Sequence, residues 1–586
     1  MRFSRLVAVF AGAAVLLTIV MLWRDYSQTS GELSTAPGDY MVSAAHPEAA
    51  QAGFDILAAG GSAVDAAIAV HLVLTLVEPQ SSGIGGGAYM LHWNEGQRAL
   101  VAYDGRETAP AGATPELFLD EAGKPRSFFD AVVTGQSVGV PGVIAMLHLA
   151  HQEHGALPWA RLFEHAIRLA EDGFTVTPRL NMMIGWSPAL PRLPWSRAYF
   201  FTETEGEAPT PLAVGTTLTN PAYAISLRLI AEQGPQVFYT GEIAEAIVAM
   251  VQNAPVRPGT LSLADMAAYV PIKRDAVCLA YRAYSVCGMP PSSSGGLTSL
   301  QILGILENFN MGALQPGSVE AIHLVTEASR LAYADRDLYI GDTDFVDVPV
   351  AAMLDGAYLA SRARLINPGQ SLGRAEAGRP SVADQAGALE ESLYAPNVSR
   401  SRPSTSHFSI VDGKGNAVSM TASVEAPFGS HLMVGGFFLN NQLTDFSFLP
   451  VVDGKPVANA VAPHKRPRSS MSPTLIFDEA GDFYAAIGSP GGSRIIAYVS
   501  QTIVGLLDHG LSMQAAIDQP RHVDRNGPLE IEADTALVDL EQDLQALGHQ
   551  VIIKPITSGL HGIRRTSGGL EGGADPRREG IALGGS

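Results

Sequence analysis

Ser404-Thr405-Ser406-His407-Phe408-Ser409-Ile410-Val411-Asp412-Gly413-Lys414-Gly415-Asn416-Ala417-Val418-Ser419-Met420-Thr421-Ala422-Ser423-Val424 is the stretch whose reading decides the fold. Residues 407–412 and 417–424 are β-type runs around a glycine-rich turn, the pattern of a hairpin. Pairing across that turn sets Thr405 opposite Ser423 or Val424, within about one residue. The Ser423 hydroxyl can therefore lie beside Thr405. On the other side, residues 375–404 are dominated by Ala, Gly, Glu, Ser, Pro and Arg, with few apolar residues. That composition marks a linker. Thr405 thus falls where a linker meets the first strand of a C-terminal sheet.

Outward from the hairpin the pattern stays layered. Strands are expected at Thr474–Phe477 and Phe483–Ile487 around an acidic turn, with a helix over Ser493–Asp508. Upstream, Ser62 and Asp65 resemble a capping box ahead of the nearly all-apolar run Ala63–Val77, which predicts a buried helix ending at Pro79. A glycine turn, 83–87, leads into a strand-like Ala88–Leu91. Helices are expected at 162–170, 319–336 and 350–366. Helices, then strands, then helices fit an α+β layered architecture better than a regularly alternating doubly wound sheet.

The 586 residues are 46% apolar and 16% charged, a globular composition with ample core material. A net charge of −20 argues against nucleic-acid binding, which needs clustered Lys and Arg. Arg2 and Arg5 precede an uncharged run from Leu6 to Trp23, which reads as an export signal or a short membrane anchor over residues 1–25. The anchor is the favoured reading. Residues 26–40 would be a tether, and the rest would lie outside the cytoplasm, in a periplasm-like space. The two cysteines, Cys278 and Cys287, sit on two short strands joined by a tight turn at Arg282-Ala283. They face each other there, within disulfide range.

Three polar segments are candidates for chemistry. Asn440–Ser447 is an unusually polar end to the apolar strand Gly436–Leu439. Lys465–Pro473 precedes a strand. Gly488-Ser489-Pro490-Gly491-Gly492-Ser493-Arg494 joins a strand to a helix, and its paired glycines can aim free N–H groups at one point, which suits an oxyanion. Together with Thr405–Ser447, these segments resemble the small subunit of the γ-glutamyltranspeptidase family. The resemblance extends to Gly60–Ala67, Glu78-Pro79-Gln80, Gly85-Gly86-Gly87, Asp104–Pro110, Val140-Pro141-Gly142, Tyr281–Tyr284, Pro290–Gly296, Tyr333–Arg336 and Asp575–Arg578. It spans about residues 40–580.

The resemblance implies a four-layer αββα sandwich of the N-terminal-nucleophile hydrolase fold. It implies self-cleavage between Ser404 and Thr405, giving a heterodimer of large (41–404) and small (405–586) subunits. Thr405 would be the nucleophile, using its own new α-amino group as base. Ser423 would orient that amine, and Gly491 and Gly492 would bind the oxyanion. Arg106, Ser469 and Ser470 would hold the substrate α-carboxylate, while Gln442 and Asp445 would hold its α-ammonium. Glu425 stands where many members have Asn, and it would add a second carboxylate at the ammonium. No cofactor or metal is implied. The substrate would be a small γ-glutamyl amide of the glutathione type, and the acceptor water, an amino acid or a peptide. The segment from Phe446 to Lys465 is short for the family's lid and lacks Tyr, which favours hydrolysis over transpeptidation.

Other readings of the residues are a glutaryl-type β-lactam acylase of the same fold and an unprocessed, anchored binding protein. Gly135-Gln136-Ser137-Val138-Gly139 matches a serine-hydrolase elbow after a strand-like Ala131-Val132-Val133, but lacks ordered Asp and His partners. The glycine cluster 83–87 lacks the frame of a nucleotide loop. His407 reads as a half-buried strand histidine, not a ligand.

Overall fold

The Asp412–Asn416 turn fixes the register of the central hairpin. The Asp412 carboxylate accepts the N–H groups of Lys414 and Asn416, and Gly415 turns the chain at φ 85°, which glycine adopts without strain. The strands run Ser406–Val411 and Ala417–Ser423, with Ser406 opposite Ala422. One step further along this register, Thr405 comes opposite Ser423. The computed structural model describes residues 39–380, 393–397 and 404–586.

The hairpin is the middle of a seven-stranded antiparallel sheet. Its order is Ile581–Gly585, Tyr40–Ala44, Ser406–Val411, Ala417–Ser423, Gly87–Asn94, Ala99–Gly105 and Ile272–Arg274. A six-stranded antiparallel sheet packs on it, ordered Gly569–Ala574, His561–Thr566, Phe483–Gly488, Thr474–Phe477, Tyr284–Gly288 and Val277–Tyr281. Helices Pro47–Ala58 and Ala63–Val77 cover the first sheet, and Gly295–Leu306 and Ile495–Leu507 cover the second. The result is the αββα sandwich.

Burial explains why strands at the centre do not alternate apolar and polar. Every residue of Ser406–Val411 and Ala417–Ser423 is buried. Phe408 and Ile410 join the core beneath the Ala63–Val77 helix. Residues of opposite parity face the second sheet, where the polar side chains are hydrogen-bonded. Ser409 Oγ donates to the His561 carbonyl, and Ser419 Oγ to that of Ile487. The Ala63–Val77 helix carries the Ser62/Asp65 capping box and buries all its residues.

Several local expectations are corrected. Ala131-Val132 closes a short helix, Phe128–Val132, capped by the Ser127 hydroxyl; it is not a strand. The helical run 350–366 is two helices, Val350–Met353 and Gly356–Ala363, because the Asp355 side chain caps the second. The 319–336 helix continues to Tyr339. Residues 375–380, expected within the linker, are pinned: Ala375 N–H donates to Asn526 and Gly378 N–H to Asp335. The rest of that segment, except 393–397 and Ser404, lies outside the described residues, as do the signal or anchor at 1–25 and nearly all of the tether. Among the described residues no helix is long and apolar enough to cross a membrane. Cys278 and Cys287 are directly paired on neighbouring strands, their Cα atoms 4.1 Å apart, and form a disulfide.

Candidate active site

Thr405 begins the first central strand and is buried in the uncut chain. Its hydroxyl donates to the Ser404 carbonyl at 2.6 Å, and the Ser423 hydroxyl donates to the same oxygen at 2.9 Å. The two hydroxyl oxygens are 3.5 Å apart. The peptide is held from both sides. Ser404 Oγ donates to the Gln80 carbonyl, Ser406 Oγ to Glu78, and Arg578 donates to the Thr405 carbonyl at 3.1 Å. Thr405 thus lies next to the bond that processing would cut, with a second hydroxyl on that bond's oxygen.

The glycine-rich junction after Phe483–Gly488 faces the same place. Gly491 and Gly492 have φ of 143° and 59°, in the region that favours glycine. A Cβ on Gly491 would meet the Tyr498 ring at 2.7 Å. Neither amide donates a hydrogen bond among the described residues. Gly492 lines the cavity that contains Thr405; Gly491 does not.

That cavity also brings together Arg106, Ser423, Glu425, Gln442, Asp445, Ser469 and Ser470. Its lining has a basic set and an acidic set, joined by the Arg106–Asp445 hydrogen bond. At the basic end Arg106 is fully buried and donates to Asp445 at 2.6 Å and to the carbonyls of Pro467 and Arg468. Its Nη1 has no hydrogen-bond partner. Burial opposes the Arg106 charge, but Asp445 and Glu107 outweigh it and raise its pKa. Behind it, burial pushes Glu107 up to about 8 despite Arg106. At the acidic end Asp445 Oδ2 also accepts from Gln442 at 3.0 Å. Glu425 stands at φ 80°, a strained conformation for a non-glycine residue, and its carboxylate accepts from Asn441 and Thr444.

Sequence reasoning missed two charged residues that line the cavity, Arg336 and Arg468. Burial, and then Arg336, push Arg468 down to about 9. Both lie inside quoted motifs, Tyr333–Arg336 and Lys465–Pro473. The signal was an arginine beside a serine pair already assigned to an anion. No residue from 447 to 465 lines the cavity. Ser137, the alternative nucleophile, donates back to the Val132 and Thr134 carbonyls and is structural. His407 is fully buried, not half-buried. It contacts Thr421 and Ser409, and burial holds its pKa well below 6.5.

Among the described residues one group, His323, Glu327 and His549, has ligand atoms close enough for a metal. Its atoms are already engaged. His323 contacts the Asn367 carbonyl and His549, His549 contacts Arg330, and Glu327 accepts from Ser371 and Leu372. Arg330 Nε also stands 3.2 Å from Glu327. A guanidinium supplies the positive charge, so this donor set does not fit a cation.

The profile of the family Gamma-glutamyltranspeptidase matches residues 49–585. The chain is 39% identical over 550 residues to the glutathione hydrolase proenzyme of Escherichia coli, covering 92% of this chain and 90% of the relative. It is 35% identical over 555 residues to the acylase ACY 1 proenzyme of a Pseudomonas strain, covering 93% of each. Among solved structures, cephalosporin acylase from Bacillus halodurans superposes with a TM-score of 0.80 at 29% identity, covering 94% of this chain and 97% of that one. The γ-glutamyltranspeptidase of Helicobacter pylori gives 0.53 at 32% identity, covering 58% of this chain and 94% of that one.

Proposed function

The chain belongs to the γ-glutamyltranspeptidase family, and we propose that it cleaves itself between Ser404 and Thr405 and then transfers γ-glutamyl groups from small amides of the glutathione type through Thr405. The observation that carries this is one cavity holding Thr405, a basic end and an acidic end. A γ-glutamyl group carries the two matching charges, an α-carboxylate and an α-ammonium.

Cleavage gives Thr405 an α-amino group with a pKa of about 8. That amine takes the proton of the Thr405 hydroxyl as its oxygen attacks the γ-carbonyl carbon. Gly491 and Gly492 N–H groups receive the developing oxyanion. The tetrahedral centre collapses, the C–N bond breaks, and the proton passes to the leaving amine. A γ-glutamyl ester on Thr405 remains. Water attacks it to give glutamate, or an amino acid or peptide amine attacks to give a new γ-glutamyl amide. Ser423 orients the amine. Arg106, Ser469 and Ser470 hold the carboxylate, and Gln442, Asp445 and Glu425 the ammonium.

The same residues weigh the acylase reading. A glutaryl group lacks the ammonium that the two cavity-lining carboxylates, Glu425 and Asp445, suit. The absence of cavity-lining residues from 447–465 supports water as the main acceptor. The N-terminal segment supports export of the enzyme.

Mass spectrometry of the purified protein tests processing, the expected product being a small subunit that begins at Thr405. Turnover of γ-glutamyl-p-nitroanilide with and without glycylglycine tests the reaction. Release of glutamate with weak acceptor stimulation is expected; an unprocessed, inactive chain would refute the reading.

A further inference from the structure

The two serines at the basic end are not equivalent. Ser469 Oγ accepts the Met471 N–H at 3.1 Å, whereas Ser470 Oγ accepts from the Arg336 guanidinium at 2.8 Å. A hydroxyl has one hydrogen to give. With its oxygen already accepting from the protein, each hydroxyl keeps that hydrogen for a ligand. For Ser470 the protein donor is a cation, which polarises the O–H and makes it the stronger donor toward an anion.

Arg336 is built to do this. It lies on the Val319–Tyr339 helix, its guanidinium over the Tyr333 ring. Its Nε donates to Ser294 Oγ at 2.9 Å, and Ser294 in turn donates to the Ser469 carbonyl through both its hydroxyl and its N–H. One planar fork therefore holds the Ser469–Ser470 turn from two sides, a geometry an ammonium cannot copy.

Charge points the same way. Arg106 faces the Asp445 carboxylate at 2.6 Å, so its charge is already opposed within the protein. Arg336 and Arg468 share the single carboxylate of Asp337, at 2.7 and 3.2 Å. Among the described residues, the Arg336–Arg468 pair has two guanidinium groups on that one carboxylate, which leaves net positive charge at this end.

We propose that Arg336 is a positioning residue for the substrate carboxylate: it turns the Ser470 hydroxyl into a donor and supplies the net charge that Arg106 lacks. This rests on the γ-glutamyl reading above. The test compares γ-glutamyl-p-nitroanilide with γ-aminobutyryl-p-nitroanilide, the same acyl group without the carboxylate. Arg336→Gln is expected to raise KM for the first about tenfold, with kcat/KM for the second changed by less than about twofold. Arg336→Lys is expected to recover only part of the loss. Combining Arg336→Gln with Ser470→Ala is expected to cost little more than Ser470→Ala alone.

Equal losses on both substrates, or full additivity, would overturn the proposal. Asp337→Asn provides a check that leaves Arg336 intact. Removing its counter-charge is expected to lower KM for the γ-glutamyl substrate only, and an unchanged or raised KM counts against the proposal even if Arg336→Gln does not mature. Absence of wild-type turnover of γ-glutamyl-p-nitroanilide would refute the functional reading instead.

Discussion

The Thr405 hydroxyl oxygen lies 2.6 Å from the carbonyl oxygen of Ser404, its own predecessor in the chain. In the proposed cleavage this oxygen attacks the Ser404 carbonyl carbon and displaces the amide nitrogen, and water then hydrolyses the ester. The charge of that step develops on an oxygen already bonded to Ser423 at 2.9 Å. Ser423→Ala is therefore expected to slow maturation by about 10²-fold, as the loss of one oxyanion donor does. Thr405→Ala is expected to stay a single chain, and Thr405→Ser to mature. Denaturing gels over a time course measure all three. Maturation of Ser423→Ala at the wild-type rate would exclude this role for Ser423.

The Arg106–Asp445 pair couples substrate binding to stability. Arg106 is fully buried, and among the described residues Glu107 at 3.7 Å is its only other close carboxylate. Asp445→Ala removes the better partner and leaves a guanidinium buried. A loss of about 3 kcal/mol in urea unfolding is expected, together with loss of γ-glutamyl turnover. Asp445→Asn keeps the shape and is expected to unfold later than Asp445→Ala while remaining impaired in binding. A stability change below about 0.5 kcal/mol for Asp445→Ala would show that Arg106 is compensated elsewhere.

The acidic end sets specificity in the proposed reaction. Glu425 and Asp445 line one cavity, and Glu425 is held in place by Asn441. Glu425→Gln is expected to raise KM for γ-glutamyl-p-nitroanilide about tenfold, the worth of one charge-assisted contact. The same change is expected to improve the ratio for a glutaryl anilide, which has no ammonium. Parallel kinetics on the two substrates decide it. Equal effects on both would remove Glu425 from ammonium binding.

The hairpin was legible because its signals are local. β-type runs flank one glycine turn, and that turn sets Thr405 opposite Ser423 or Val424, within about one residue. The Cys278–Cys287 pairing and the Ser62 cap are legible for the same reason. Arg336 was not, because its contact with Ser470 joins residues 134 positions apart across a helix and a loop. A helix pattern shows that residue 336 exists on a face, not what the face meets. Ala131–Val133 misleads because three apolar residues carry no period, and the Ser127 hydroxyl caps a helix that takes in Ala131 and Val132. Glu425 is visible in the sequence as a departure from pattern, but its φ of 80° depends on the fold around it.

The polar layer between the sheets predicts an acid limit. Burial pushes His561 down to about 3, and burial together with neighbouring His561 holds His407 well below 6.5. Both rings are neutral in the fold, whereas an unfolded histidine titrates near 6.5. Protonation therefore favours the unfolded chain. The stability contribution is complete above 6.5 and is lost progressively as pH falls from 6.5 toward 3. For His561 alone the loss at pH 5.5 is about 1.4 kcal/mol. Urea midpoints at pH 8 and pH 5.5 for the wild type and His561→Gln measure it. The wild type is expected to lose more stability than the variant by about that amount. An equal loss in the two proteins would mean that His561 is already charged, or partnered, in the fold.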